Sequence, residues 1–173
     1  MRPLQTDWRK ELKWLNPGFS KASTKLKTIY VLRAIARTQG IRAVVANVET
    51  YDAGTGRSSD LYGFLDILVD HNRGIQACGK DWQPHISKFR DECPDAVKWW
   101  LSEESRTLEL WGWRQVVATK SDGSKAKRKL WIPRIQLITP GFLWGDEEPT
   151  MIEFEDVLKD FRVEPRPVFD RAG

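Results

Sequence analysis

The chain has 173 residues, 40% of them hydrophobic and 11% aromatic, enough for one hydrophobic core and too few for two ordinary domains. Charged residues make up 30% and mean hydropathy is −0.52; no apolar run approaches the ~20 residues of a membrane helix, and residues 1–13 lack the apolar stretch of a secretory signal, so the cytoplasm is the expected compartment. The net charge of +4 divides unevenly: residues 141–173 hold nine acidic and four basic residues, a balance of −5, leaving +9 on residues 1–140, and a body that basic favours a polyanionic partner.

Residues 1–19 contain Trp8, Trp14 and Leu15 and end in the turn signal Asn16-Pro17-Gly18, which predicts an N-terminal arm. Over residues 20–39, Leu26, Ile29, Leu32, Ile35 and Ala36 recur at helical spacing, with Gly40 placed as a C-cap and Lys21, Lys25, Arg33 and Arg37 on the opposite face. Residues 41–48 are rich in β-branched side chains and predict a strand; residues 51–59, with two glycines and two serines, predict a flexible connection. Residues 64–69 and 74–77, joined across residues 70–73, predict a hairpin. Pro84 and Pro94 suit the first turns of two helices over residues 82–105, the second holding Val97, Trp100 and Leu101, with Trp99 and Trp100 on different sides. Residues 107–117 and 129–138 predict a second hairpin around a Lys-Ser-Asp-Gly turn.

The expected architecture is α/β: a central mixed sheet of about five strands flanked by helices, formed by residues 20–140 as one domain. Residues 141–173 make an acidic C-terminal extension with one helix over residues 152–161. Cys78 and Cys93 are too few for a disulfide framework and are expected as thiols. Together with His71 and His85 they lack the knuckle spacing of a structural zinc site.

Asp66 is flanked by Phe64, Leu65, Ile67 and Leu68, so its carboxylate sits at a sheet end or needs a charged partner to offset desolvation. Gln76 follows ten residues later on the partner strand, a spacing that brings both side chains to one end of the sheet. Converging oxygen donors there suit Mg2+ or Mn2+. The alternative is a strand-end aspartate that accepts backbone hydrogen bonds.

A helix, a strand, a hairpin carrying Gly63-Phe64-Leu65-Asp66-Ile67 and then Gln76-Ala77-Cys78, followed by a helix, resembles the PD-(D/E)XK nucleases, most closely their Holliday-junction-resolvase-like and phage-borne members. The resemblance covers residues 20–115 and implies a restriction-endonuclease-like core, metal-dependent hydrolysis of DNA, a branched-DNA substrate, a homodimer and a virus-encoded protein acting in the host cytoplasm. It makes Asp66 and Gln76 metal ligands, with the backbone carbonyl of Ala77 beside them. The lysine two positions beyond Gln76 is Cys78 here, a departure. The resemblance therefore assigns the lysine's work to Lys88, ahead of Lys80, and an extra carboxylate to Asp60.

Basic residues around the second hairpin, Arg114, Lys120, Lys125, Lys127, Arg128, Lys129 and Arg134, together with Lys80 and Arg90, are candidates for contact with nucleic-acid phosphates. Trp111, Trp113 and Trp131 lie among them, as base-stacking groups or, in the commoner case, as core residues. Two other readings stay open: a catalytically inactive nucleic-acid-binding module on the same fold, and an interaction protein whose acidic tail covers its basic body.

Overall fold

The computed structural model describes residues 19–38 and 44–158. The expected N-terminal arm, the Gly40 cap, the first residues of the first strand and the end of the acidic extension lie outside them. A 3-10 turn at Phe19–Lys21 leads into α1 (Thr24–Thr38). The buried stripe of α1 is Thr28, Ile29, Val31, Leu32 and Ala34, and Leu26, expected inside, is 38% exposed. Thr28 explains the rotation: its hydroxyl donates to Thr24 O at 2.9 Å and accepts the indole N–H of buried Trp113 at 2.8 Å. A buried indole needs such an acceptor. Lys27 turns inward as well, with its ammonium 4.5 Å from the Trp131 ring and bonded to the carbonyl of Ala22.

After α1 comes β1 (Val45–Asn47), then a small separate hairpin, β2 (Thr50–Asp52) and β3 (Arg57–Ser59), where the sequence predicts a flexible connection. Asp52 closes its turn by accepting Gly54 N–H and the Thr55 hydroxyl, each at 2.9 Å. The main sheet continues with β4 (Ile67–Val69) and β5 (Arg73–Cys78), and then a crossover of α2 (Gln83–Ser87), one π-helical turn (Lys88–Glu92) and α3 (Pro94–Leu101). The long hairpin β6 (Thr107–Thr119) and β7 (Lys125–Ile138) follows, then α4 (Pro140–Trp144), β8 (Thr150–Ile152) and α5 (Phe154–Leu158).

The main sheet is mixed and six-stranded, in the order β1-β4-β5-β6-β7-β8. Among the described strands only β5 and β6 run parallel, and a parallel pair needs a crossover of a dozen or more residues, which α2 and α3 supply. Helices flank the sheet on both faces. Under α1 lie Ile67, Ile75, Ala77, Trp111, Trp113 and Ile135; on the other side Phe64, Leu65, Leu108 and Leu110 cluster with Trp82 and Phe89 of the crossover. Five of the six residues of β5 are buried, as expected of a strand covered on both faces.

Of the extension expected over residues 141–173, the described part folds onto this body: Leu143 and Phe154 are buried and β8 pairs with β7. Ile152 ends that strand, so the expected helix begins only at Phe154 as α5, and residues 159–161 lie outside the described residues. Beyond Gly112 and Arg134 the β6–β7 hairpin outruns its neighbours, since β5 pairs no further than Gly112 and β8 spans only Ile135 to Leu137. It ends in a turn where Asp122 accepts Ser124 N–H at 2.9 Å and Gly123 takes φ +83°.

Arg73 and Glu109 fasten β5 to β6 through a two-pronged ion pair of 2.7 and 3.0 Å, and the Trp111 indole donates to the same carboxylate at 2.8 Å. Glu109 is 5% exposed, so its removal strands two donors. Glu109→Ala is expected to cost about 2–3 kcal/mol, below the range for a fully buried pair because Arg73 reaches water. Urea unfolding checks this.

Candidate active site

A tight loop places the first acid. Residues 61–65 turn back on themselves through an isolated bridge between Leu61 and Leu65, with Tyr62 at φ 54° and Gly63 at φ 82°. Two successive left-handed residues reverse the chain in the shortest distance, and glycine takes that conformation without strain. The loop returns Asp60 to the end of β4, beside Asp66. The antiparallel pairing of β4 and β5, extended by Asp66 N–H to Ile75 O at 3.1 Å, sets Gln76 and Ala77 beside Asp66. Gln76 Nε2 donates to Asp66 Oδ2 at 2.6 Å and Ala77 N–H donates to the same oxygen at 2.9 Å. Ala77 meets Asp66 through its amide N–H; the role that the resemblance implies for it belongs to its carbonyl.

The helix after β5 completes the cluster. Lys88, at the start of the π-helical turn, puts its ammonium on Asp60 Oδ2. Local π geometry is frequent where a helix side chain is aimed at a functional site. Asp60, Asp66, Gln76, Ala77 and Lys88, drawn from a loop, a strand end, a second strand and a helix, therefore converge at one sheet end.

The electrostatics separate the two acids. Asp66 is 6% exposed; burial first, then its hydrogen bond and repulsion with Asp60, push its carboxyl up to about 7 against the pull of Ala77 N–H. Burial also works against the charge on Asp60, but its bonds to Asp66 and Lys88 outweigh that and hold it below the usual carboxylate value. Without a cation, Asp66 acts as the acid and Asp60 as its acceptor.

Compared with known proteins, the chain matches no family model, no curated protein and no solved structure. The site is therefore read from its own chemistry. Among the described residues no cluster of three or more His, Cys, Asp or Glu side chains is arranged to hold a metal; two carboxylates and one amide oxygen are what the site offers. Gln76 is 4% exposed, and its Oε1 finds no hydrogen-bond partner among the described residues. An orphaned buried acceptor beside two carboxylates fits a hard divalent cation held by Asp60, Asp66 and Gln76 Oε1.

Cys78 lies two residues beyond Gln76 on β5, buried, and burial followed by repulsion from Asp66 pushes its thiol up to about 12. It is a neutral space-filler that cannot carry a lysine's charge. Lys80 is exposed and lines a cavity at the start of α2. Arg90 Nε donates to Leu143 O at 2.9 Å and ties the crossover to α4. Arg114, Lys120, Lys125, Lys127 and Lys129 are exposed along the two-stranded extension; the side chain of Arg128 is outside the described residues. Trp111 and Trp113 are buried and Trp131 packs against the same core, so these indoles hold the extension's base.

His85, which the sequence marks only as a candidate zinc ligand, also borders the site. One helical turn before Lys88, it lies close enough to Lys88 and Asp60 to feel both charges. Burial and then Lys88 lower its pKa, Asp60 opposing, and its buried Nδ1 has no partner among the described residues. Its three-residue spacing from Lys88 on a helix was the only signal available in the sequence.

Proposed function

We propose that this chain is a metal-dependent endodeoxyribonuclease of the PD-(D/E)XK type, with a restriction-endonuclease-like core. The convergence of Asp60, Asp66, Gln76 and Lys88 at one sheet end carries the reading. The chain order supports it too: a helix, an antiparallel meander of β1, β4 and β5, a crossover of helices and a strand parallel to β5. Mg2+ or Mn2+ held by Asp60, Asp66 and Gln76 would neutralise charge at phosphorus and lower the pKa of a coordinated water. Gln76 and Ala77 orient Asp66 through two hydrogen bonds to one oxygen, leaving its other oxygen for a ligand. Lys88 supplies the positive charge that Cys78 cannot and fixes the position of Asp60.

The substrate side is the basic extension. Residues 113–133 hold six basic side chains against one acidic, which suits a polyanion approaching the sheet end. Branched DNA and a homodimer are the substrate and assembly this reading favours, because paired cuts need paired sites. Lys125→Ala, Lys127→Ala and Lys129→Ala together are expected to lower the slope of log affinity against log salt for duplex DNA by about 2–3. Fluorescence anisotropy across a salt series measures it.

The deciding experiment is cleavage of four-way-junction, flap, single-stranded and duplex DNA with Mg2+ or Mn2+, in wild type and Asp66→Ala. Cutting that disappears in the variant supports the proposal, and the preferred substrate names its class. Absence of cutting with binding retained favours the inactive binding module, for which the neutral Cys78 at the motif lysine's place is the supporting observation.

A further inference from the structure

The cavity that Lys80 lines opens on the same face of the sheet as Gln76, between the start of α2 and β7. It is an open cleft of about 510 Å³ lined by Lys80, Trp82, Arg134 and Gln136 among others. Gln136 sits in register with Leu110, and Leu110 with Gln76, so the two glutamines occupy one row, two strands apart. At ~4.8 Å per strand that is roughly 10 Å.

Gln136 is 1% exposed, and its Nε2 has no hydrogen-bond partner among the described residues. Its orientation is decided by Trp82, whose indole N–H donates to Gln136 Oε1 at 3.0 Å. An indole can only donate, so the oxygen must face it and the NH2 must face away. Trp82 is itself fixed. Its ring lies over Gly112, where an added Cβ would come within 2.6 Å of it, and the Arg134 guanidinium covers it at 4.7 Å. Gln136 thus lines the cavity together with Lys80 and Arg134, its buried NH2 turned away from the indole, with Asp81 as the one acid in the lining. The row thus offers an orphaned acceptor at Gln76, suited to a cation, and an orphaned donor at Gln136, suited to an anion.

We infer that this cavity binds a backbone phosphate of the nucleic-acid strand whose scissile phosphodiester, a few nucleotides along, lies at Asp66. The inference rests on the nuclease reading for the second contact, and it adds the element that sets strand direction and register across the sheet. A phosphodiester offers only acceptors and one negative charge, which matches two amide hydrogens and two cations. The span between the glutamines is one that a few nucleotides of a single strand bridge.

The test is anisotropy of a short single-stranded oligodeoxynucleotide on the full chain, without divalent metal, so that no cutting intervenes. Gln136→Glu keeps an acceptor for the Trp82 indole but replaces the donor with an anion. It is expected to weaken binding by about tenfold or more, the loss of one charge-assisted hydrogen bond, while the same charge change in exposed Asn72→Asp leaves affinity little changed. Arg134→Ala is expected to reduce the salt slope by about 0.7, one phosphate contact. Circular dichroism checks folding, and if Gln136→Glu does not fold, Lys80→Glu and Arg134→Glu at the exposed mouth carry the test. Wild-type affinity in the folded variants overturns the inference even if Asp66-dependent cutting is observed, in which case the nuclease reading stands alone. Weakened binding in Gln136→Glu with no substrate cut by wild type leaves the phosphate site standing and removes the nuclease.

Discussion

Asp66→Asn is expected to lower metal-dependent cleavage by about 10³-fold or more while raising the melting temperature at pH 8 by about 3–8 °C. On the proposed nuclease reading, the loss follows from removing a carboxylate that would hold the metal, a charge worth several kcal/mol in the transition state. The gain follows from the same residue in the metal-free protein, where Asp66 is buried against Asp60 and its carboxyl is pushed up to about 7, chiefly by burial. An asparagine oxygen still accepts from Gln76 and Ala77, its NH2 donates to Asp60, and no second charge is buried. Active-site carboxylates held together without their cation commonly trade stability for function in this way, and a gain of 1–2 kcal/mol corresponds to about that temperature shift in a chain of this size.

The sign with pH gives the prediction a second edge. Asp66 has a folded value of about 7, above its ordinary 3.8, so across that window the folded chain keeps a proton that the unfolded chain releases. Stability from this group therefore falls as pH rises through the window. Differential scanning calorimetry should show Asp66→Asn ahead of wild type at pH 8 and nearly level with it at pH 5. Millimolar Mg2+ at pH 8 should raise the wild-type melting temperature and leave Asp66→Asn unmoved, because only a folded, ionised site gains from the cation. A variant less stable than wild type at pH 8, or one that Mg2+ stabilises equally, would contradict the electrostatic account.

The hairpins and the crossover helices were legible because their signals are local: alternating apolar residues, Pro84 and Pro94 in first turns, and a Gly-containing turn at residues 120–124. Asp66 and Gln76 were legible because an antiparallel hairpin with a short turn leaves one register in which a polar pair inside apolar strands can meet. The β2–β3 hairpin was not, since Thr50–Asp52 and Arg57–Ser59 are exposed throughout and carry no buried face to produce alternation. The orientation of α1 was missed for the converse reason, a tertiary hydrogen bond from Trp113 turning Thr28 inward against an apolar count that favoured Leu26. Gln136 left a trace, a polar residue between Ile135 and Leu137, but its partner Trp82 is 54 residues away and no local rule joins them. His85 and Lys88 could be related only through the helix that carries both.

Lys88→Ala is expected to lower cleavage by about 10²–10³-fold, the cost of removing one preorganised charge from a reacting centre, with little effect on DNA affinity, because the site's ammonium is a single cation against the many on the β6–β7 extension. The structure also predicts which substitutions restore activity. The ammonium bonds Asp60 from one turn of a helix, so what matters is a positive charge at that distance. Lys88→Arg should retain part of the activity and Lys88→Met, equal in length, should not. Returning a lysine to Cys78 tests the departure directly: in Lys88→Ala, Cys78→Lys should recover cleavage, since Cys78 follows Gln76 by two residues and shares its face of the sheet. The Cys78→Lys change alone overpacks a buried position and should lower the melting temperature, while the folded protein's cleavage stays near wild type because a second ammonium beside Asp66 only adds to a charge already supplied. Failure of the double variant to recover, with its fold intact by circular dichroism, would show that Lys88 does more than provide charge and that the helix position, next to His85, is itself required.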